Sequence, residues 1–144
     1  MADLTAPPEL QSAIKALASL SRKAKGSILF RRGDPGIGVF LILEGEVSLT
    51  LEGRASVYPQ RKLGKGAIVG LPATLSNGAY SLGAEVSEDA ELAFLSRQDF
   101  VEMLAKDPNL CLEAMNLLGH EIASIRSALV SHRENKSGSV RMRG

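Results

Sequence analysis

The spacing of apolar residues changes twice along the chain. Residues 8–20 have the spacing of a helix, with Pro8 in the first turn and apolar positions at Leu10, Ile14, Leu17 and Leu20. From about residue 26 to 96, short apolar runs alternate with glycine-containing turns, which is typical of an antiparallel sandwich or barrel. Helical spacing returns at about residue 97. The pattern predicts a mainly β protein with flanking helices.

The β region contains several short predicted strands, at residues 27–31, 38–43, 47–52, 55–59, 67–69, 79–86 and 91–96. The RGDPG sequence predicts a turn with Pro35 at its second position, and residues 44–46 predict a tight turn around glycine. The polar segment 21–25 is interpreted as a solvated helix end, where its cations suit the helix dipole.

Residues 66–86 form the segment around which these strands are arranged. A buried strand ends at Gly70, residues 71–75 predict one short helical turn, and a polar loop at 76–78 leads into the next strand. This order of elements points backbone N–H groups into a cavity, where they can hold a charged group. The segment is therefore the candidate ligand site.

Two helices are predicted after the β region. Ser96 begins the first one, with Asp99 in a variant of the capping box. Asp107 and Pro108 begin the second, aspartate as the cap and proline at the first helical position. No helix breaker follows until about residue 133, so the second helix is predicted to be about 25 residues and roughly 38 Å long.

The last helix carries two apolar stripes. One has coiled-coil spacing and contains Cys111, Met115, Leu118, Ile122, Ile125 and Leu129. The other contains Leu110, Ala114 and Leu117 and fades after Leu117. We expect the first turns to pack on the barrel and the later turns to pair with a second copy. The predicted dimer interface is Met115, Leu118, Ile122, Ile125 and Leu129. The alternative is that the whole seam is core of one chain.

Composition adds limits to this outline. The 144 residues predict one domain at residues 8–133, with the β region at about 26–96, helices at about 97–133 and a disordered polar tail at 134–144. The net charge of +1 gives no reason to expect a nucleic-acid partner. The chain has neither an apolar run long enough for a membrane span nor the start of a signal peptide, so a cytoplasmic protein without membrane contact is expected.

No residues are grouped in a way that predicts catalysis or metal binding. Both histidines, His120 and His132, fall on the terminal helix, whereas a metal site of the cupin type needs histidines on the strands. The serines of the candidate site have no histidine nearby to activate them. Cys111 is interpreted as a small buried residue. We therefore expect no catalytic residue, no metal and no enzyme activity.

The order of parts resembles the cyclic-nucleotide-binding domain of the Crp/Fnr (catabolite activator) type. The resemblance covers about residues 10–130 and rests on the GDPG turn, the sequence LILEGEV and the position of the 66–86 segment, each of which is weak alone. It implies an antiparallel β-roll or jelly roll with a short N-terminal helix and a long C-terminal dimerisation helix. It also implies a regulatory role in signal transduction.

The residues that hold the nucleotide in that family are replaced here. The resemblance places Gly70 at the family's glycine and Ala73 near its small residue. It places Leu71 at the glutamate that binds the ribose, Tyr80 at the arginine that binds the phosphate, and Ser81 at the hydroxyl that follows. Pro72 has no N–H to donate. The candidate pocket is Val69, Gly70, Leu71, Pro72, Ala73, Thr74, Tyr80 and Ser81.

Three functions follow from these observations. The first is a non-catalytic sensor domain that does not bind cyclic AMP or cyclic GMP tightly and acts through dimerisation, a separate output protein or a less polar ligand. The second is a cyclic-nucleotide-binding domain that uses backbone N–H groups near Ala73 and Thr74 and the Ser81 hydroxyl. The third is a structural dimeric scaffold. Because DNA-binding relatives continue into a helix-turn-helix module, direct DNA binding is not expected.

Overall fold

The computed structural model describes residues 5–143 except 51–58, with side chains at residues 5–50, 61–123, 126 and 127. It contains four helices among these residues: α1 (Pro8–Leu17), α2 (Leu71–Ser76), α3 (Arg97–Lys106) and α4 (Pro108–Arg143). The predicted strand at 55–59 lies outside the described residues except at its last position. No described helix is long and apolar enough to cross a membrane.

Six described strands form one antiparallel sheet. They are β1 (Ser19–Lys23), β2 (Ile28–Phe30), β3 (Gly38–Thr50), β4 (Pro59–Leu63), β5 (Ile68–Val69) and β6 (Gly83–Ser96). The strand order is β1-β6-β3-β4, with β2 also pairing β6 and β5 also pairing β3. The mainly antiparallel β fold with flanking helices is therefore confirmed.

The two longest strands correct the predicted strand boundaries. Residues 44–46 were expected to form a tight turn, but they lie within β3, which pairs β6 with shifts of register around them. Gly45 has φ 92°, and a glycine in that conformation can make a bulge in a continuing strand as readily as a turn. Likewise, the predicted strands at 79–86 and 91–96 are both part of β6 or lead into it.

The start of the chain also differs from the prediction. Segment 21–25 was interpreted as a helix end, but α1 stops at Leu17 and Ser19–Lys23 is strand β1, paired with Ala90–Phe94 of β6. Hydrogen bonding to β6 outweighs the weak local preference of these polar residues for a helix end. As a result Leu20, which was counted as a buried helix position, is exposed.

The core lies between the sheet and the helices. Leu10 and Ile14 of α1, Phe100 of α3 and the interior residues of β3 and β6 are fully buried. Helix α4 contributes the predicted second stripe, in which Leu110, Ala114 and Leu117 are all buried. We expected the first turns of α4 to pack on the barrel; they are buried in the common core, where α4 contacts α1, α2 and α3.

Both predicted helix caps are present, but α4 ends later than expected. The Ser96 Oγ accepts a hydrogen bond from the Asp99 N–H at 3.2 Å, and Asp107 Oδ1 accepts from the Asn109 N–H at 3.0 Å. The α4 backbone continues to Arg143, through residues that were expected to form a disordered tail. No proline interrupts these residues, and a single Gly138 costs a helix only about 1 kcal/mol.

Candidate functional site

The candidate site begins where β5 ends and α2 begins. Gly70 is in the left-handed conformation with φ 92°, which turns the chain out of the strand and into the short helix. The Thr74 hydroxyl and N–H both donate to the Gly70 carbonyl oxygen, at 2.8 and 3.2 Å. Asn77, also left-handed at φ 57°, ends α2. The predicted order of strand, glycine and single helical turn is present.

The ring of Tyr80 lies in the space beside Gly70. A Cβ added to Gly70 would come within 2.9 Å of Tyr80 Cε1, so only a glycine leaves room for this ring. The Tyr80 ring stacks on Phe30 of β2, with centroids 3.6 Å apart and planes inclined by 10°. Tyr80 is only 3% exposed. An aromatic side chain of the protein itself therefore fills this part of the site.

The Tyr80 hydroxyl is bound to the backbone at the start of β3. It donates a hydrogen bond to the Gly38 carbonyl oxygen at 2.9 Å and accepts from the N–H groups of Ile37 and Gly38 at 3.2 and 3.3 Å. Burial raises the pKa of the phenol above its ordinary value, against the opposing effect of the two N–H groups. The hydroxyl is neutral and its hydrogen-bonding capacity is used within the chain.

The GDPG turn holds the Tyr80 backbone from the other side. The Gly33 N–H donates to the Tyr80 carbonyl oxygen at 2.8 Å, and the Tyr80 N–H donates to the Asp34 carbonyl oxygen at 2.9 Å. A third bond joins the Gly36 N–H to the Gly78 carbonyl oxygen at 2.8 Å. Three backbone bonds, together with the ring stacking and the hydroxyl bonds, fix the position of Tyr80.

The remaining cavity is small. Its volume is about 20 Å³, enough for about one water molecule. Five predicted site residues line it, namely Gly70, Pro72, Ala73, Tyr80 and Ser81. The other three, Val69, Leu71 and Thr74, are fully buried and lie outside its lining. None of the described lining residues is basic.

Four lining residues were not predicted from the sequence: Phe30, Leu49, Leu82 and Glu121. Phe30 and Leu49 come from strands far from the 66–86 segment in sequence, so only the sheet pairing brings them to the site. Glu121 had a visible signal, because it follows Leu117 by four residues and continues the buried stripe of α4.

Glu121 is the carboxylic acid among the residues that line the cavity, and its side chain is buried. It is 3% exposed, and burial raises its pKa to about 8 from an ordinary 4.5. The nearby guanidinium of Arg61 acts in the opposite direction and is the weaker influence. At neutral pH the Glu121 side chain is therefore mostly protonated.

The outer face of α4 exposes part of the predicted dimer interface. Met115 and Ile122 are 41% and 44% exposed, and Leu112 on the same face is 63% exposed. Leu118 is partly buried and packs against the core, as does Cys111. The side chains of Ile125 and Leu129 lie outside the described residues. Among the described residues, no cluster of His, Cys, Asp and Glu could hold a metal ion.

The structure is similar to several solved proteins. One comes from work on a cyclic-GMP-dependent signalling pathway that regulates bacterial phytopathogenesis, with a TM-score of 0.69 and 24% identity over 87% of this chain and 98% of that one. The catabolite activator protein of Thermus thermophilus gives a TM-score of 0.68 and 26% identity, over 87% of this chain and 60% of that one. The c-di-GMP-responsive regulator CLP of Xanthomonas campestris gives a TM-score of 0.65 and 18% identity, over 91% of this chain and 63% of that one.

This chain thus spans about three fifths of the length of the two named regulators. No curated protein sequence matches it. The family model described as the cyclic nucleotide-binding domain matches residues 21–107, which include most of β1, the strands β2 to β6, the 66–86 segment and α3. Since that match covers more than half of the 144 residues, the chain belongs to the cyclic nucleotide-binding domain family.

Proposed function

We propose that this chain is a non-catalytic regulatory domain whose nucleotide site is closed by its own tyrosine. In this proposal the domain does not bind cyclic AMP or cyclic GMP tightly. It acts by forming a dimer with a second copy, and its signal is a separate partner protein or a less polar ligand. The observation that carries the proposal is the Tyr80 ring, which lies against Gly70 and stacks on Phe30.

The family holds its nucleotide through two charged contacts, one to the ribose and one to the phosphate. With Leu71 and Tyr80 at their positions, neither the ribose nor the phosphate of a cyclic nucleotide meets a charged side chain there. Each charge-assisted hydrogen bond is worth roughly 1.5–3 kcal/mol, so losing two lowers affinity by about two to four decades. The ligand would also have to displace the Tyr80 ring and the three hydrogen bonds of its hydroxyl.

Self-association is supported by the exposed face of α4. Leu112, Met115 and Ile122 follow one another at helical intervals, and Gly119 between them has open space around its Cα. An apolar stripe of this kind loses exposed surface when a second helix packs along it. We therefore propose a homodimer formed through α4.

Calorimetric titration with cyclic AMP and cyclic GMP tests the ligand part of the proposal. We expect no saturable heat with a dissociation constant in the low micromolar range. If such a constant were measured, the proposal would be wrong, and the Ser81→Ala variant would then show whether the Ser81 hydroxyl provides the binding. A loss of affinity in that variant would favour the family's ordinary function with a modified set of contacts.

A second function, that of a structural dimeric scaffold, is favoured by the small size of the cavity. A volume of about 20 Å³ admits a water molecule and no organic ligand while Tyr80 stays in place. The two functions differ in whether Tyr80 moves. A signalling ligand must shift the Tyr80 ring, whereas a scaffold keeps it in one position.

A further inference from the structure

Glu121 occupies a position where the sequence pattern of α4 requires an apolar residue. It follows the buried residues Leu110, Ala114 and Leu117 at helical spacing, and it is as deeply buried as they are. A carboxyl at a core position is unfavourable when charged, because it loses its hydration on burial. Such a residue links the docking of the helix to its own protonation state.

The surroundings of Glu121 in the cavity are mainly apolar. Phe30 of β2, Leu49 of β3 and Leu82 before β6 line the same cavity. Helix α2 contributes Pro72 and Ala73 and contains no ionisable side chain. These elements offer nothing that stabilises a carboxylate.

Besides Ser81, which lines the cavity and is exposed, two groups on this side of the domain are ionisable. Tyr80 also lines the cavity, but its hydroxyl already binds Gly38 and Ile37, and burial keeps its pKa above the ordinary value. Arg61 of β4 pairs with Leu49 in the sheet, so its side chain lies on the same face as Leu49. Its Nη1 atom is buried and has no hydrogen-bond partner within the described part of the chain.

Arg61 is thus the charged group that acts on Glu121 among the described residues, and it favours the carboxylate. His120, the neighbour of Glu121 in α4, is exposed and lies on the solvent side of the helix. The unfavourable effect of burial exceeds the attraction to Arg61. Docking of this turn of α4 is therefore opposed by ionisation of Glu121.

We propose that Glu121 is a pH-sensitive latch between α4 and the cavity beside Gly70. The protonated side chain holds this turn of α4 against the β-roll, and the ionised side chain favours release of the turn into solvent. The inference does not depend on the ligand proposal, because it concerns the docking of α4 in the unliganded domain. It connects the cavity with the helix whose outer face carries the exposed apolar stripe.

The direction of the pH effect follows from the two pKa values. Glu121 has a pKa of about 8 when docked and an ordinary value of 4.5 when solvated. The docked state therefore binds more protons. Its stability is fully present below about pH 4.5 and decreases as the pH rises to about 8, after which it levels off. The docking equilibrium changes by up to about tenfold per pH unit within this window.

Amide hydrogen exchange in α4 tests the latch. After correction for intrinsic rates, protection of the amides near Leu117 and Glu121 in the full chain should fall by up to about tenfold per pH unit between about pH 5 and 8. In Glu121→Gln, which keeps the shape but cannot ionise, protection should not vary with pH. Glu102→Gln, at an exposed glutamate of α3, should behave like the unmodified protein.

Two results would overturn the proposal. One is protection that is independent of pH in the unmodified protein, and the other is an unchanged pH dependence in Glu121→Gln. If that variant does not fold, the carboxyl carbon of Glu121 in the unmodified protein gives the answer by NMR titration. A midpoint near 8 supports the latch, and a midpoint near 4.5 excludes it.

Discussion

Gly70 allows a close approach to the backbone, and in this chain the approaching group is a phenol ring. The stacking on Phe30, the bonds to Gly38 and the backbone bonds to the GDPG turn all hold Tyr80 in place. A nucleotide phosphate would need this space and a positive charge within it. In the proposed function Tyr80 takes the position of the family's arginine, so the favourable charge is missing and the ring must be displaced.

The Tyr80 hydroxyl is expected to contribute measurably to stability. Tyr80→Phe keeps the ring stack but leaves the buried Gly38 carbonyl oxygen and two N–H groups without this partner. We expect a loss of about 1–3 kcal/mol in the free energy of unfolding, measured by urea denaturation. Ser81→Ala, at the exposed neighbouring residue, should change it by less than about 0.5 kcal/mol. Equal stability of Tyr80→Phe and the unmodified protein would exclude a structural role for the hydroxyl.

At this scale the sequence predicted the residues close to Gly70 better than the distant ones. Six of the lining residues lie in the 66–86 segment, whose local order of strand, glycine and turn fixes their neighbourhood, and all but Leu82 were predicted. Phe30 and Leu49 depend on the register of β2 and β3 against β6, which no local pattern contains. Glu121 continues the buried stripe of α4. A stripe that is recognised by its apolar residues omits a glutamate, so Glu121 was not predicted.

Helix ends in this protein are set by nearby residues, whereas strand ends depend on partners that are distant in the sequence. Helix caps at Ser96 and Asp107 depend on bonds within three residues, and both were predicted correctly. Strand ends were predicted less well, because a left-handed glycine such as Gly45 serves a turn or a bulge equally. Strand β1 was missed because β6 supplies its hydrogen-bond partners from 67 to 75 residues away in the sequence.

Helix α4 has one face on the core and one in solvent, and the outer face should determine the oligomeric state. Met115→Asp combined with Ile122→Asp is expected to convert a dimer into a monomer, measured by sedimentation velocity. Both residues are exposed within one chain, so their loss should change the stability of the monomer little. The apolar area they would bury in a dimer is replaced by two repelling charges.

Val101→Asp provides the matched control, because Val101 is an exposed apolar residue of α3. It should leave the dimer intact. If the unmodified protein sediments as a monomer at high micromolar concentration, the exposed stripe does not form a dimer interface and this part of the proposed function is wrong.

For the whole molecule, the fold class followed from the pattern of glycine turns and short apolar runs. The domain type followed from the resemblance carried by the GDPG turn, the LILEGEV sequence and the 66–86 segment. The functional state did not follow from the fold. We propose that it depends on the ring that fills the cavity beside Gly70 and on the Glu121 carboxyl, which is buried on the inner face of α4. Members of one family can share the sheet and differ in both features, and a likeness of folds therefore leaves the ligand open.

The most direct test of the central claim observes Tyr80 itself. The chain has two tyrosines, so protein labelled with ring-¹³C tyrosine gives few aromatic signals, and Tyr80→Phe assigns them. We predict contacts between the Tyr80 and Phe30 rings that persist, with unchanged chemical shifts, at millimolar cyclic AMP or cyclic GMP. A saturable shift of the Tyr80 signal with a midpoint in the low micromolar range, accompanied by loss of the Phe30 contact, would contradict the account.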